Sequence, residues 1–260
     1  MRRRTRLTIA MLSAAATAAA MLATALTLPS ASATACEPLP DGASLAEGPP
    51  VSKSGPASHQ VTAPAARWAA VAVRGNQGDD PNLAVGKRGD CLFRSSRVAS
   101  PWATDWVALH VGAGRLPLGA YTAQVVNGTA GHPQLGNYMI EFDSGGSLLV
   151  TRFLSQPVGR SGDWLIDVRD VSLQAGLTYT FQVTGGQGMQ VHLLSSTAIS
   201  STWAHSASGS TPRLTLPGDD PNLSVTRTFT VRPTATGRYG VLFARTIWVG
   251  PPTWVRVSSS

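Results

Sequence analysis

The stretch Val61–Val73, "VTAPAARWAAVAV", can be laid over Val171–Val183, "VSLQAGLTYTFQV". Each reads as the end of one strand, a turn containing Pro or Gly, and a second strand of apolar residues alternating with small or polar ones. Further along, Gly119–Val125 (GAYTAQV) lies over Gly237–Phe243 (GRYGVLF) at a slightly longer spacing. Both halves therefore follow one plan: strand, turn, strand, variable loop, and a Gly-x-Tyr strand near the end.

The rest of the chain agrees with a β reading. Trp106–Val111, Tyr138–Phe142, Trp164–Val168, Gln190–Leu194, Phe229–Val231 and Thr253–Val257 are short runs rich in β-branched and aromatic residues. Gly, Pro, Asn and Asp separate them at short intervals, as in sandwiches and barrels. After the N-terminal segment no long stretch keeps a capped helical period. The expectation is an all-β chain of two tandem β-sandwich domains. They are placed at residues 59–145 and 146–260, behind a flexible Pro/Gly/Ser-rich lead-in at 36–58.

Residues 1–35 read as a cleaved signal peptide. MRRRTR is a basic start, Leu7–Ala35 is uncharged, and Ala31–Ala33 and Ala33–Ala35 fit the A-x-A cleavage pattern. Removing this segment takes away Arg2, Arg3, Arg4 and Arg6. The formal charge then falls from +7 to +3, with 17 basic and 14 acidic residues left. Those basic residues are scattered singly, so no nucleic-acid partner is expected. No later segment is apolar enough for a membrane span. The expected location is outside a bacterial cell. Export permits a disulfide between Cys36 and Cys91, closing a loop of about 55 residues worth on the order of 4 kcal/mol. The alternative is that Cys36 carries a lipid anchor, although Ala33 stands where that processing usually finds leucine.

The pentapeptide "DDPNL" occurs at Asp79–Leu83 and at Asp219–Leu223, each time after Gly. It falls at different places in the two halves, so the internal repeat does not explain it. Asp79, Asp80, Asn82 and Asp90 are calcium candidates, with Asp219, Asp220 and Asn222 as counterparts. Calcium requires six to eight oxygens, whereas Asp-Pro and Asx turns need none. The favoured reading is a turn leading into strands Leu83–Val85 and Leu223–Val225, with no cofactor, or calcium as the alternative.

Trp68–Arg74, Asp79–Val85, Asp105–Leu109 and Gly119–Val125 together resemble the bacterial pre-peptidase C-terminal domain, over the greater part of the first half. The resemblance implies a small jelly-roll-like sandwich without catalytic activity, in a family where some members bind calcium or a polymeric substrate. No peptidase domain accompanies it here.

Catalytic constellations are weak. Thr129–Pro133 (TAGHP) and Asp143–Leu148 (DSGGSL) look like the histidine and serine motifs of trypsin-like proteases. In those proteases the two motifs lie far apart with the aspartate between them, whereas His132 and Ser144 share one short stretch of chain. A nucleophilic serine needs a base within reach and a third group orienting that base. The five histidines, His59, His110, His132, His192 and His205, show no zinc spacing. Among seven tryptophans, most are expected in the core; Trp248 and Trp254 are candidates for stacking on a ligand. The expectation is a non-enzymatic binding or accessory protein for an extracellular polymer or protein. The alternative is a hydrolase assembled from distant residues such as His132 or His205. Oligomeric state is not legible.

Overall fold

The computed structural model describes residues 37–63, 68–76, 79–91, 93–97, 103–110, 119–128, 135–145, 148–149, 155–159, 163–194, 203–205, 212–245 and 250–260. The signal-peptide reading of residues 1–35 lies outside them.

Every element among the described residues is a strand. In chain order the first nine are β1 (Ala43–Ser44), β2 (Val51–Ser54), β3 (Ala57–Ala63), β4 (Trp68–Gly75), β5 (Pro81–Lys87), β6 (Phe93–Ser96), β7 (Asp105–His110), β8 (Gly119–Asn127) and β9 (Asn137–Asp143). Then come β10 (Leu148–Leu149), β11 (Gln156–Val158), β12 (Ile166–Leu173), β13 (Tyr179–Gly186) and β14 (Gln190–Leu193). The last five are β15 (Trp203–His205), β16 (Leu214–Thr215), β17 (Ser224–Val231), β18 (Gly237–Ala244) and β19 (Thr253–Ser259). They form four sheets: sheet I, β1-β3-β8-β5-β6; sheet II, β15-β7-β4-β9-β2; sheet III, β10-β12-β18-β14-β16; and sheet IV, β11-β19-β13-β17.

Pairing recurs between the halves. Strand β3 joins β8 with Val61 opposite Tyr121, and β12 joins β18 with Val171 opposite Tyr239. In sheet II, β4 lies between β7 and β9; in sheet IV, β13 lies between β17 and β19. The superposition of Val61–Val73 on Val171–Val183 thus falls on strands with the same neighbours. Three apolar layers fill the spaces. Val71, Val73, Tyr121 and Ile140 belong to the layer between sheets I and II. Phe181, Val183, Phe243 and Val257 belong to the layer between sheets III and IV. Between sheets II and III lie Trp68, Ala70, Ala72, Trp106, Val168 and Leu242.

The middle layer explains the composition of β4. All eight of its residues are buried, because odd positions face sheet I while even ones face sheet III. A strand covered on both faces loses its polar alternation. Removing about 200 Å² per indole from water makes Trp68 and Trp106 worth on the order of 5 kcal/mol each. Two carboxylates of β9 add polar fastening. Glu141 Oε2 accepts the backbone N–H groups of Leu165 and Ile166 (the latter at 3.1 Å), and Asp143 Oδ2 accepts that of Val168 at 2.7 Å.

Three sequence expectations meet differences. The lead-in has structure of its own: β1 adds parallel to β3, β2 adds antiparallel to β9, and Leu45 is buried in the first core. Edge strands held by backbone bonds leave their side chains in water, so no apolar period marks them. The division near Gly145 is crossed by β15, which pairs with β7 in sheet II. The described residues form one compact unit. Finally, the two "DDPNL" copies differ. In the first, Pro81 already belongs to β5, opposite Asn127. In the second, Pro221–Leu223 is a turn and the strand begins at Ser224.

Candidate ligand-binding cleft at Trp254

Strands β11 and β19 pair at one edge of sheet IV, with Pro157 opposite Trp254 and Val158 opposite Thr253. Alternation along β19 turns Thr253, Val255 and Val257 inward and leaves Trp254 outward, 43% exposed. Beside it opens a cleft of about 470 Å³ lined by Trp254, Trp164, Arg245, Asp163, Gly159 and adjoining residues, Thr253 among them. That volume lies within the ordinary range of ligand pockets, roughly 300–1,000 Å³.

The floor is rigid. Trp164 is 1% exposed, and the Arg245 guanidinium lies 4.0 Å from its ring centre. Arg245 Nη2 donates to the Pro251 carbonyl at 2.7 Å and to Thr253 Oγ1 at 3.3 Å. Its backbone N–H donates to Leu165 O at 2.8 Å. Burial pushes the Arg245 pKa down to about 10, against the opposing charges of Glu141 and Asp163. The side chain therefore keeps its charge at neutral pH. Gly159 adopts φ 82° and passes so close to the Trp164 indole that a Cβ would overlap the ring. Its N–H donates to Asp167, whose carboxylate also holds Arg169 at 2.6 and 2.7 Å. Aromatic surface, one fixed cation and the exposed carboxylate of Asp163 face a common space. Such a set is suited to holding and orienting a ligand.

The other candidates that lie among the described residues sit elsewhere in the fold. Trp248 and His132 lie outside the described residues, and of His205 only its place in β15 is described. Asp79 turns towards the Gly136 N–H at 3.3 Å. Asp80 and Asn82 face Gly128, whose N–H donates to the Asp80 carbonyl at 2.6 Å. Burial holds the Asp80 carboxyl above its ordinary value. Asp90 is exposed beyond β5. In the second copy the Asn222 N–H donates to Asp220 Oδ1 at 3.0 Å, an Asx turn. Among the described residues no group of three or more His, Cys, Asp or Glu is arranged to hold a metal ion. Ser144 is buried, and its hydroxyl donates to Glu47 of the lead-in. His59 Nε2 lies 3.1 Å from the Tyr138 hydroxyl. His110 and His192 meet Trp68 and Trp106 edge-on, at 5.4 and 4.9 Å between ring centres. Cys36 lies outside the described residues, and among these no cysteine is free. No helix among them is long and apolar enough to cross a membrane.

Sequence reasoning singled out Trp254 and missed Trp164, Arg245 and Asp163. The proline pair before Trp254 was a local signal; the other three come from segments outside β19 and carry no shared motif.

No family model matches the chain, and no curated protein matches it. Among solved structures, the infectious bursal disease virus VP2 subviral particle is similar at 10% identity. That alignment covers 85% of this chain and 74% of the viral one, with a TM-score of 0.20.

Proposed function

We propose that the chain is a secreted, non-enzymatic binding protein whose two repeated sandwiches present the Trp254 cleft to an extracellular polymer. The observation that carries this reading is Trp254 itself. A large aromatic ring is left 43% exposed at the mouth of a cleft, although an inward position would have buried it. A ring held so, above a Trp–Arg floor, is suited to stack on a ligand with an apolar face. Export, removal of residues 1–35 and a Cys36–Cys91 bridge belong to the same proposal.

The test is adsorption of the protein from culture medium onto immobilised polysaccharides, cell wall and protein polymers, comparing wild type with Trp254→Ala. Retention of wild type and its loss in a folded variant supports the reading; retention equal in both removes the cleft from it. Intact mass with and without reductant checks the bridge, which predicts a gain of ~2 mass units on reduction of one internal disulfide. A lipid-sized increment would instead place the chain at a membrane surface through Cys36.

A further inference from the structure

The outward face of sheet IV continues from the cleft, and its rows are legible from the pairing. The first row across β19, β13 and β17 is Trp254–Thr184–Thr226. The next is Arg256–Gln182–Thr228, and the third is Ser258–Thr180–Thr230. All point away from the core, because Phe181, Val183, Val255 and Val257 fill the inward positions between them. Thr226, Thr228, Thr230 and Gln182 are exposed. Thr184 and Thr226 hydroxyls meet at 2.7 Å. With strands about 4.8 Å apart and alternate residues about 6.8 Å apart, the rows span roughly 14 by 10 Å.

The chain itself shows what this face looks like when built for protein. The register places β4 of sheet II where β13 stands in sheet IV. There the corresponding rows read Glu141–Ala72–Trp106 and Asp143–Ala70–Ala108. Those residues are buried against sheet III. In sheet IV, hydroxyl and amide groups occupy the places of Ala70, Ala72, Trp106 and Ala108. Serine and threonine are poor anchors for a protein partner. An anionic polymer or membrane would call for several cations, and Arg256 is the one charge in these three rows. The groups repeat from row to row, which matches a ligand that repeats.

We infer that this face is a binding track for an uncharged polysaccharide, with one sugar stacked on Trp254 and the following hydroxyls exchanging hydrogen bonds with the threonine and glutamine rows. The inference rests on the binding reading above and names its ligand class. The test is adsorption of the mature protein to insoluble cellulose, chitin and β-1,3-glucan. Variants are Trp254→Ala and the triple change Thr184→Val, Thr226→Val, Thr228→Val, which keeps shape and strand preference but removes hydroxyls. Circular dichroism and melting establish that each is folded.

Expected is adsorption to at least one of these polymers, little changed between low salt and ~1 M NaCl. Loss of Trp254 should weaken it roughly tenfold, with a smaller but measurable weakening for the triple variant. Undiminished adsorption of the triple variant overturns the track and leaves the cleft standing. Trp254-dependent binding only to a charged polymer or a protein overturns the ligand class alone. Absence of Trp254-dependent binding to any polymer overturns both readings.

Discussion

At Gly159 the backbone lies at φ 82° with the Trp164 indole directly against it, and Trp164 in turn supports Arg245. Alanine there meets two penalties, a left-handed backbone and a clash with a fixed ring. Gly159→Ala should destabilise the protein by about 2–3 kcal/mol, measured by urea unfolding, and should weaken ligand binding in step. His59 makes a second prediction. Burial, then the charge of Lys53, lowers its pKa below the ordinary 6.5. The unfolded chain therefore takes up this proton first as pH falls. The stabilisation is complete above about pH 6.5 and is lost below it, towards the folded-state pKa. Melting temperatures across that window should fall less in His59→Gln than in wild type. An unchanged slope would show that His59 is not the group responsible. Residue identity made these histidines visible in the sequence, but their neighbours, Tyr138, Trp68 and Trp106, were not.

Between elements, β9 does two jobs. Its Ile140 and Phe142 face the first core, while Glu141 and Asp143 reach across to the backbone of Leu165–Val168. Replacing Glu141 with alanine strands two buried N–H groups. The expected loss is about 3 kcal/mol for Glu141→Ala, read from chemical unfolding, and Glu141→Gln should lose less because it keeps an acceptor oxygen. Equal losses would show that the charge, not the acceptor, matters. Element types were largely legible: period-2 runs around Trp68, Tyr121, Tyr138 and Tyr179 all became strands. The threonines at 226, 228 and 230 carry the same period in polar residues, and β17 runs unbroken from Ser224 to Val231 where Leu223–Val225 and Phe229–Val231 were expected as separate strands. Polar alternation is weak as a sequence signal, since it lacks the apolar half of the pattern that loops do not imitate. Edge strands β1 and β2 were illegible for the related reason that backbone pairing leaves no mark on side-chain choice.

For the molecule as a whole, the layer between sheets II and III joins its two halves through buried apolar residues. Trp68 packs on Gly240, where a Cβ would come within 2.7 Å of the indole, and Trp106 meets His192. An apolar layer of that kind couples the sheets on its two sides. Calorimetry and tryptophan fluorescence should report one coincident transition for wild type. Ala72→Arg forces a charge into the layer and should lower the midpoint and pull the two probes apart. Coincident, unshifted transitions in that variant would show that the layer contributes little.

Local sequence was enough for the all-β character, for the internal repeat of Val61–Val73 in Val171–Val183 and for the exposed position of Trp254, because strand period and turn residues are local properties. The remainder came from packing. The stacking of sheet II on sheet III, the entry of β15 into sheet II and the meeting of Trp164, Arg245, Asp163 and Trp254 in one cleft all depend on contacts between distant segments. A short sequence window carries the pattern of one face, but what covers that face is set only when the whole chain has packed.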